Sequence, residues 1–151
     1  MNDFDFANRP GEQRQFRSLS ERKLAESLSC ALSAPLSWTQ EQDSIRVVPD
    51  EGEGSFGYRP DFLIRNDETG RLLAVELKAS QGLSRANLMK FKLISDAYHK
   101  AGKEFLLIVD GAQDGSAVRA LNQDNVRTAW LSDESAGTAV ETIRRALMAA
   151  F

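Results

Sequence analysis

The clearest pattern along the chain is a pair of apolar runs separated by a short polar segment. Phe62-Leu63-Ile64 lies before this segment and Leu72-Leu73-Ala74-Val75 lies after it, with Asn66-Asp67-Glu68-Thr69-Gly70 between them. Small polar residues and a glycine are typical of a chain reversal. The two runs show little alternation, which is typical of strands that are covered on both faces. The pattern therefore predicts a β-hairpin within a buried sheet.

Three charged residues interrupt this hairpin. Asp61 begins the first strand, and Glu76 and Lys78 lie near the end of the second. If Arg65 pairs with Leu72 across the turn, Asp61 lies opposite Glu76, and directly opposed residues have Cβ atoms roughly 5 Å apart. Two carboxylates at that separation repel each other unless a positive charge lies between them. A divalent cation is the obvious candidate for that charge.

Helical periodicity and stop signals predict the other elements. A helix over residues 18–32 would bury Leu24 and Leu28 on one face, and a second helix would run from its cap at Ser84 to about Ala101, with Gly102 as its stop. Further strands are predicted at 45–48, 105–109 and 126–131, and further helices at 116–122 and 139–150.

This order predicts an α/β fold, with a mixed central β-sheet flanked by helices. The order is a helix, three strands, a helix, a strand, a short helix, a strand and a helix. Residues 1–17 lack a clear period and are interpreted as an N-terminal arm, while residues 18–151 form a single predicted domain without an internal repeat.

Composition restricts the chemistry of any metal site. The 151-residue chain contains one cysteine, Cys30, and one histidine, His99, which excludes a Cys/His zinc cluster and leaves oxygen ligands for Mg²⁺, Mn²⁺ or Ca²⁺. Cys30 is expected to pack in or near the core, and His99 is expected at the surface.

The polar start of the chain and its short apolar runs predict a cytosolic protein. The net charge of −3 argues against indiscriminate coating of nucleic acid, but it is compatible with a local basic patch.

The segment Pro60-Asp61, then fourteen residues (62 to 75), then Glu76-Leu77-Lys78 resembles the signature of the PD-(D/E)XK, or restriction-endonuclease-like, nuclease superfamily. The resemblance covers residues from about 18 to 110. It implies an αβββαβ core, here with an added C-terminal strand and helix, and a phosphodiesterase that depends on Mg²⁺ or Mn²⁺. It also implies that Asp61, Glu76 and the backbone carbonyl of Leu77 bind the metal. Lys78 would orient or deprotonate the attacking water, or stabilise the charged phosphorane.

A simpler interpretation is that Asp61 and Glu76 are polar strand ends and that Lys78 pairs with Glu76 at the surface. The Pro-Asp spacing and the cross-strand register favour the metal site over that interpretation. Superfamily members often add an acid from the first helix, and Glu21 is the candidate because it shares the buried face with Leu24. Glu21 could instead complete a capping box with Ser18 at the start of this helix, and both interpretations stay open.

Several polar residues near this motif are candidates for contacts with nucleic acid. They lie in the loop before the hairpin and in or just before the helix that follows it: Ser55, Tyr58, Gln81, Arg85, Asn87 and Lys90. The segment 52–57 spells G-x-G-x-x-G, but a strand is predicted after it, whereas a dinucleotide site needs a helix.

The leading hypothesis is a metal-dependent endo- or exonuclease that acts on DNA. The alternatives are a non-catalytic member of the same fold that binds nucleic acid or protein, and a toxin-like nuclease that cleaves RNA. A homodimer is plausible because one site cuts one strand, so cleavage of a duplex usually needs two sites. The sequence does not specify the preferred substrate sequence or structure.

Overall fold

The computed structural model describes residues 19–40, 44–49, 54–79, 83–111, 115–131 and 136–148. The predicted N-terminal arm, Ser18 and Gln81 lie outside these ranges. Helices in this part of the chain are α1 (Leu19–Ala31), α2 (Arg85–Lys100), α3 (Gly115–Gln123) and α4 (Ala136–Met148). The strands are β1 (Leu36–Gln40), β2 (Ile45–Val47), β3 (Phe56–Tyr58), β4 (Phe62–Asn66), β5 (Leu72–Ala79), β6 (Glu104–Asp110) and β7 (Arg127–Leu131).

The main sheet has five strands in the order β1-β4-β5-β6-β7. The β1–β4 and β4–β5 pairs are antiparallel, whereas the β5–β6 and β6–β7 pairs are parallel. Helix α2 connects β5 to β6, and α3 connects β6 to β7, as parallel neighbours require. The mixed sheet flanked by helices confirms the predicted fold class, and α1, β1, β4, β5, α2 and β6 give the αβββαβ order.

Strands β4 and β5 form the hairpin that the two apolar runs predict. Their register pairs Phe62 with Val75 and Arg65 with Leu72, as predicted. The turn between them is stabilised by Asn66, whose side-chain oxygen accepts hydrogen bonds from the backbone N–H groups of Glu68 (2.9 Å) and Thr69 (3.2 Å). This Asx-type turn is the local reason why the chain reverses at the predicted place.

Helices cover both faces of the sheet, and β5 contributes alternate side chains to the two resulting cores. Leu73, Val75 and Leu77 pack in the core beneath α1 and α4, whereas Ala74 packs in the core beneath α2 and α3. The central residues of β6 are fully buried, and burial of each large apolar side chain stabilises the fold by about 2 kcal/mol. None of the helices in the described ranges is long and apolar enough to span a membrane.

The prediction was wrong about which strand completes the three-stranded part of the core. The predicted strand at 45–48 exists as β2, but it pairs with β3 in a separate two-stranded sheet. The third strand of the main sheet is β1, which sequence reasoning missed. Its side chains alternate between buried Leu36 and exposed Ser37, as in an edge strand, but the run is short and ends on polar Gln40. β3 was also missed, since its glycine-rich surroundings indicate a loop.

The ends of α2 follow the predicted capping chemistry. The Ser84 side chain accepts a hydrogen bond from the Asn87 backbone N–H at 3.2 Å, and Gly102 follows the helix with a φ of 74°, a conformation that favours glycine. Ala101, the C-cap residue, is exposed. Cys30 is also exposed, contrary to the expectation that it packs near the core, because it lies on the solvent side of α1. His99 is at the surface, as predicted.

The side chain of Asn66 also links the hairpin to the end of α4. Asn66 is only 3% exposed, and its amide nitrogen donates to the Leu147 carbonyl at 2.9 Å. We expect Asn66→Ala to lower the free energy of unfolding by about 2 kcal/mol, because that buried carbonyl loses its donor and the turn loses its acceptor. Urea denaturation measures this change.

The matched control is Glu68→Ala, which truncates an exposed side chain in the same turn. It should change the free energy of unfolding by less than about 0.5 kcal/mol. Equal denaturation midpoints for Asn66→Ala and the control would show that the Asn66 contacts do not stabilise the hairpin.

Candidate active site

The candidate site lies where four elements meet at one edge of the main sheet. Because β1, β5, β6 and β7 run in one direction and β4 in the other, the carboxyl end of β5 lies beside the start of β4 and the end of β6. The first turn of α1 reaches the same edge, since the Ser20 hydroxyl donates a hydrogen bond to the Asp110 carboxylate at the end of β6. The carboxyl edge of parallel strands is a common place for functional sites.

Asp61 is held by two hydrogen bonds to β5. Its backbone N–H donates to the Val75 carbonyl at 3.0 Å, and its Oδ2 accepts from the Leu77 backbone N–H at 2.8 Å. The carboxylate is only 6% exposed, so these bonds offset part of the cost of burying it. The regular pairing of β4 with β5 ends at Phe62, so the predicted pairing of Asp61 with Glu76 was wrong by one residue. The Asp61 backbone N–H bonds to Val75 instead.

Glu76 is partly buried and is contacted by Tyr58, the last residue of β3. The Tyr58 hydroxyl donates to Glu76 Oε1 at 2.5 Å. Burial of the phenol raises the pKa of Tyr58 far above its ordinary value, and the nearby negative charge of Glu76 raises it further. The phenol is therefore protonated at neutral pH and acts as the donor in this bond.

Lys78 and Leu77 complete the motif at the end of β5. Alternation along the strand places Lys78 on the same face as Glu76, while the Leu77 side chain points into the core beneath α1 and α4. This is the predicted arrangement. Leu77 thus contributes its side chain to the core, while its backbone N–H contacts the carboxylate of Asp61.

Glu21 faces the same site from α1. It is 6% exposed and lies on one helical stripe with Leu24, Ala25 and Leu28, whereas Glu26 is exposed. The predicted orientation of Glu21 is therefore confirmed. The proposed cap partner, Ser18, lies outside the described residues.

These side chains line one cavity of about 300 Å³. Its walls are formed by residues from α1, β5 and the segment before β4: Ser20, Glu21, Asp61, Glu76, Leu77, Lys78 and Ala79. The acidic side chains in this lining would bind a cation through carboxylate oxygens, which suit a hard cation such as Mg²⁺. Among the described residues, no three Asp, Glu, His or Cys side chains form a ready-made metal cluster. Mg²⁺ does not require one, because it usually retains water ligands and binds one or two carboxylates together with substrate phosphates.

The other predicted contact residues lie outside the lining of this cavity. Ser55 is exposed just before β3, Arg85 and Lys90 are exposed on α2, and Asn87 is partly buried in the first turn of that helix. The Lys90 ammonium lies 5.8 Å from the centre of the Phe56 ring. Contacts of these residues with nucleic acid stay predictions.

Sequence reasoning missed two contacts that support the site. The Tyr58–Glu76 bond was missed because residues 49–58 were interpreted as a loop, although Phe56 and Tyr58 are a short period-two pair of aromatics. The Ser20–Asp110 bond joins residues that are 90 positions apart, and no local signal indicates such a contact.

Comparisons with known proteins give likenesses to solved structures. No family model matches the sequence. No curated protein matches it. Among solved structures, the chain is similar to the MunI restriction endonuclease in complex with cognate DNA, with a TM-score of 0.49 and 18% sequence identity. That match covers 82% of this chain and 92% of the other chain.

Proposed function

We propose that the protein is a nuclease that hydrolyses phosphodiester bonds in DNA with the help of Mg²⁺ or Mn²⁺. The observation that carries this proposal is the convergence of Glu21, Asp61, Glu76 and Lys78 on one cavity at the carboxyl edge of the sheet. Burial of acids is costly unless they are paired or bind a metal, so a cation bound by this cluster would offset that cost.

Asp61, Glu76 and the backbone carbonyl of Leu77 are the groups that would hold the cation. When bound, such a cation neutralises negative charge on the phosphate and lowers the pKa of a water molecule. The protein's own contribution is to fix the two carboxylates in advance. The Leu77 N–H orients Asp61, and the Tyr58 hydroxyl orients Glu76. Preorganised ligands of this kind avoid a reorganisation cost during the reaction.

Lys78 contributes a positively charged side chain to the lining of this cavity. It is partly buried and lines the cavity together with Glu76, so its ammonium can donate to a phosphate oxygen or to the attacking water. Either contact stabilises the charge that develops as the phosphodiester is attacked. Glu21 adds a third acid from α1, which can bind or orient a water ligand of the cation.

We propose a nucleic-acid substrate because exposed basic side chains follow the motif along the chain. Arg85 and Lys90 extend from the first turns of α2, which begins shortly after Lys78 in the sequence. Such side chains bind phosphates without reading the base sequence. The same charges would also suit RNA, so the assay below includes both polymers.

Cleavage of plasmid DNA with Mg²⁺ or Mn²⁺ tests the proposal directly. We expect Asp61→Asn, Glu76→Gln and Lys78→Ala each to lower the cleavage rate by about 100-fold or more, because each variant removes charge that acts on the reacting phosphate. EDTA should abolish cleavage. Parallel reactions with transfer RNA separate a DNA nuclease from an RNA nuclease.

The matched controls are Glu68→Gln and Lys92→Ala. Glu68 is exposed in the hairpin turn, and Lys92 forms a surface ion pair with Asp96 at 3.2 Å. Both controls should cleave at the wild-type rate. Equal rates for the wild type and all three site variants would refute the proposal, and binding of Mn²⁺ without cleavage of either polymer would favour the non-catalytic alternative.

Glu21→Gln separates the two interpretations of this buried acid. If Glu21 serves the site, the variant should bind Mn²⁺ about tenfold more weakly, as is common when a supporting residue of a metal site is changed. Its free energy of unfolding should not fall, because the substitution removes a buried charge. Isothermal titration calorimetry and urea denaturation provide the two measurements.

The control on the same helix is Glu26→Gln. Glu26 is exposed and lies 3.7 Å from Arg22 in a surface pair, which contributes little to stability. Glu26→Gln should leave both the Mn²⁺ affinity and the free energy of unfolding unchanged. If Glu21 is only a cap, Glu21→Gln would instead leave the Mn²⁺ affinity unchanged, because glutamine also completes a capping box.

A further inference from the structure

Each of the two motif carboxylates accepts a hydrogen bond from a donor of the protein through at least one of its oxygens. Asp61 Oδ2 accepts from the Leu77 backbone N–H at 2.8 Å, and Glu76 Oε1 accepts from the Tyr58 hydroxyl at 2.5 Å. The two donors come from different parts of the chain, yet both act on a carboxylate that lines the same cavity. These hydrogen bonds to the carboxylates affect which cation the site can bind.

The Tyr58 hydroxyl is held rigidly. Its ring is 8% exposed and packs edge-on against Tyr98 of α2 and Phe105 of β6, with ring centres 6.2 Å and 6.1 Å away. Tyr58 is also paired with Ile45 in the small sheet. Because the ring packs against two aromatic rings and its backbone is paired in the small sheet, the hydrogen bond restrains the Glu76 carboxylate in one orientation.

We propose that Tyr58 is a positioning residue that limits Glu76 to ligation through one oxygen, so that the site selects Mg²⁺ or Mn²⁺ over Ca²⁺. This inference rests on the proposed function, because it concerns the same metal site. Chelation through both oxygens of Glu76 would require Oε1 to turn towards the cation and to weaken its bond with the phenol.

The selectivity follows from the different demands of the cations. Ca²⁺ takes about six to eight oxygen ligands at roughly 2.3–2.6 Å and often binds carboxylates through both oxygens. Mg²⁺ demands near-octahedral geometry at about 2.0–2.1 Å and is satisfied by single carboxylate oxygens and water. A site in which at least one oxygen of Asp61 and of Glu76 is restrained therefore disfavours the larger cation.

Calorimetric titration of the full chain with Mn²⁺ and with Ca²⁺ tests this inference. The wild type should bind Mn²⁺ more tightly than Ca²⁺. Tyr58→Phe retains the buried ring but removes the hydroxyl, and it should lower the ratio of Mn²⁺ affinity to Ca²⁺ affinity by about tenfold. A general loosening of the site would weaken both cations alike and would leave this ratio unchanged.

The matched control is Tyr98→Phe, which removes a phenol hydroxyl from the same aromatic cluster. The Tyr98 ring stacks on Phe105 with centres 5.8 Å apart, and the substitution preserves that contact. For Tyr98→Phe, the ratio of Mn²⁺ affinity to Ca²⁺ affinity should stay within about threefold of the wild-type ratio. A Tyr58→Phe ratio equal to that of the wild type would overturn the inference while leaving the metal site intact. A wild type that binds neither cation would overturn the proposed function together with this inference.

A measurement on the wild type keeps the inference testable if Tyr58→Phe does not fold. Infrared difference spectra upon addition of Mn²⁺, compared with those of Glu76→Gln, isolate the carboxylate stretches of Glu76. A wide separation of the antisymmetric and symmetric bands indicates ligation through one oxygen and supports the inference. A narrow separation indicates chelation through both oxygens and contradicts it.

Discussion

The hydrogen bond from the Leu77 backbone N–H to Asp61 Oδ2 connects the core of this protein to its candidate site. Leu77 packs its side chain beneath α1 and α4, and its backbone lies between Glu76 and Lys78. Because successive residues of a strand point to opposite faces, anchoring Leu77 in the core also orients its two charged neighbours. The positions of the motif side chains are thus a consequence of core packing, and their precision depends on it.

Burial of several acids at one sheet edge opposes folding, and the structure offsets this cost with specific contacts. Asp61 receives a backbone N–H, Glu76 receives a phenol hydroxyl, and Asp110 receives the Ser20 hydroxyl. Natural proteins often sacrifice stability at functional sites, because charge held in a strained or poorly solvated position is useful for chemistry. This arrangement has the character of such a site, since Glu21, Asp61 and Glu76 line one cavity at the carboxyl edge of the sheet.

The small β2–β3 sheet gives the fold a feature that the αβββαβ core alone does not have. It places Tyr58 against Glu76 and packs Val47 and Tyr58 into the core beneath α2. An element outside the main sheet therefore contacts a residue inside it. In folds that share a common core, such additions are where one member can differ from another in cation preference or substrate contacts.

The sequence alone determined the features that depend on local patterns. The apolar runs and the polar turn predicted the hairpin and its register, the capping residues predicted the ends of α2, and helical periodicity predicted that Glu21 faces inwards. The tertiary structure decided the rest. Contacts between distant segments determine which strand lies beside β4, which side chain contacts Glu76, and which residue bonds to the first turn of α1. Short strands such as β1 and β2 carry too little pattern to specify their partners, because pairing is decided by packing against the whole sheet and not by the strand itself.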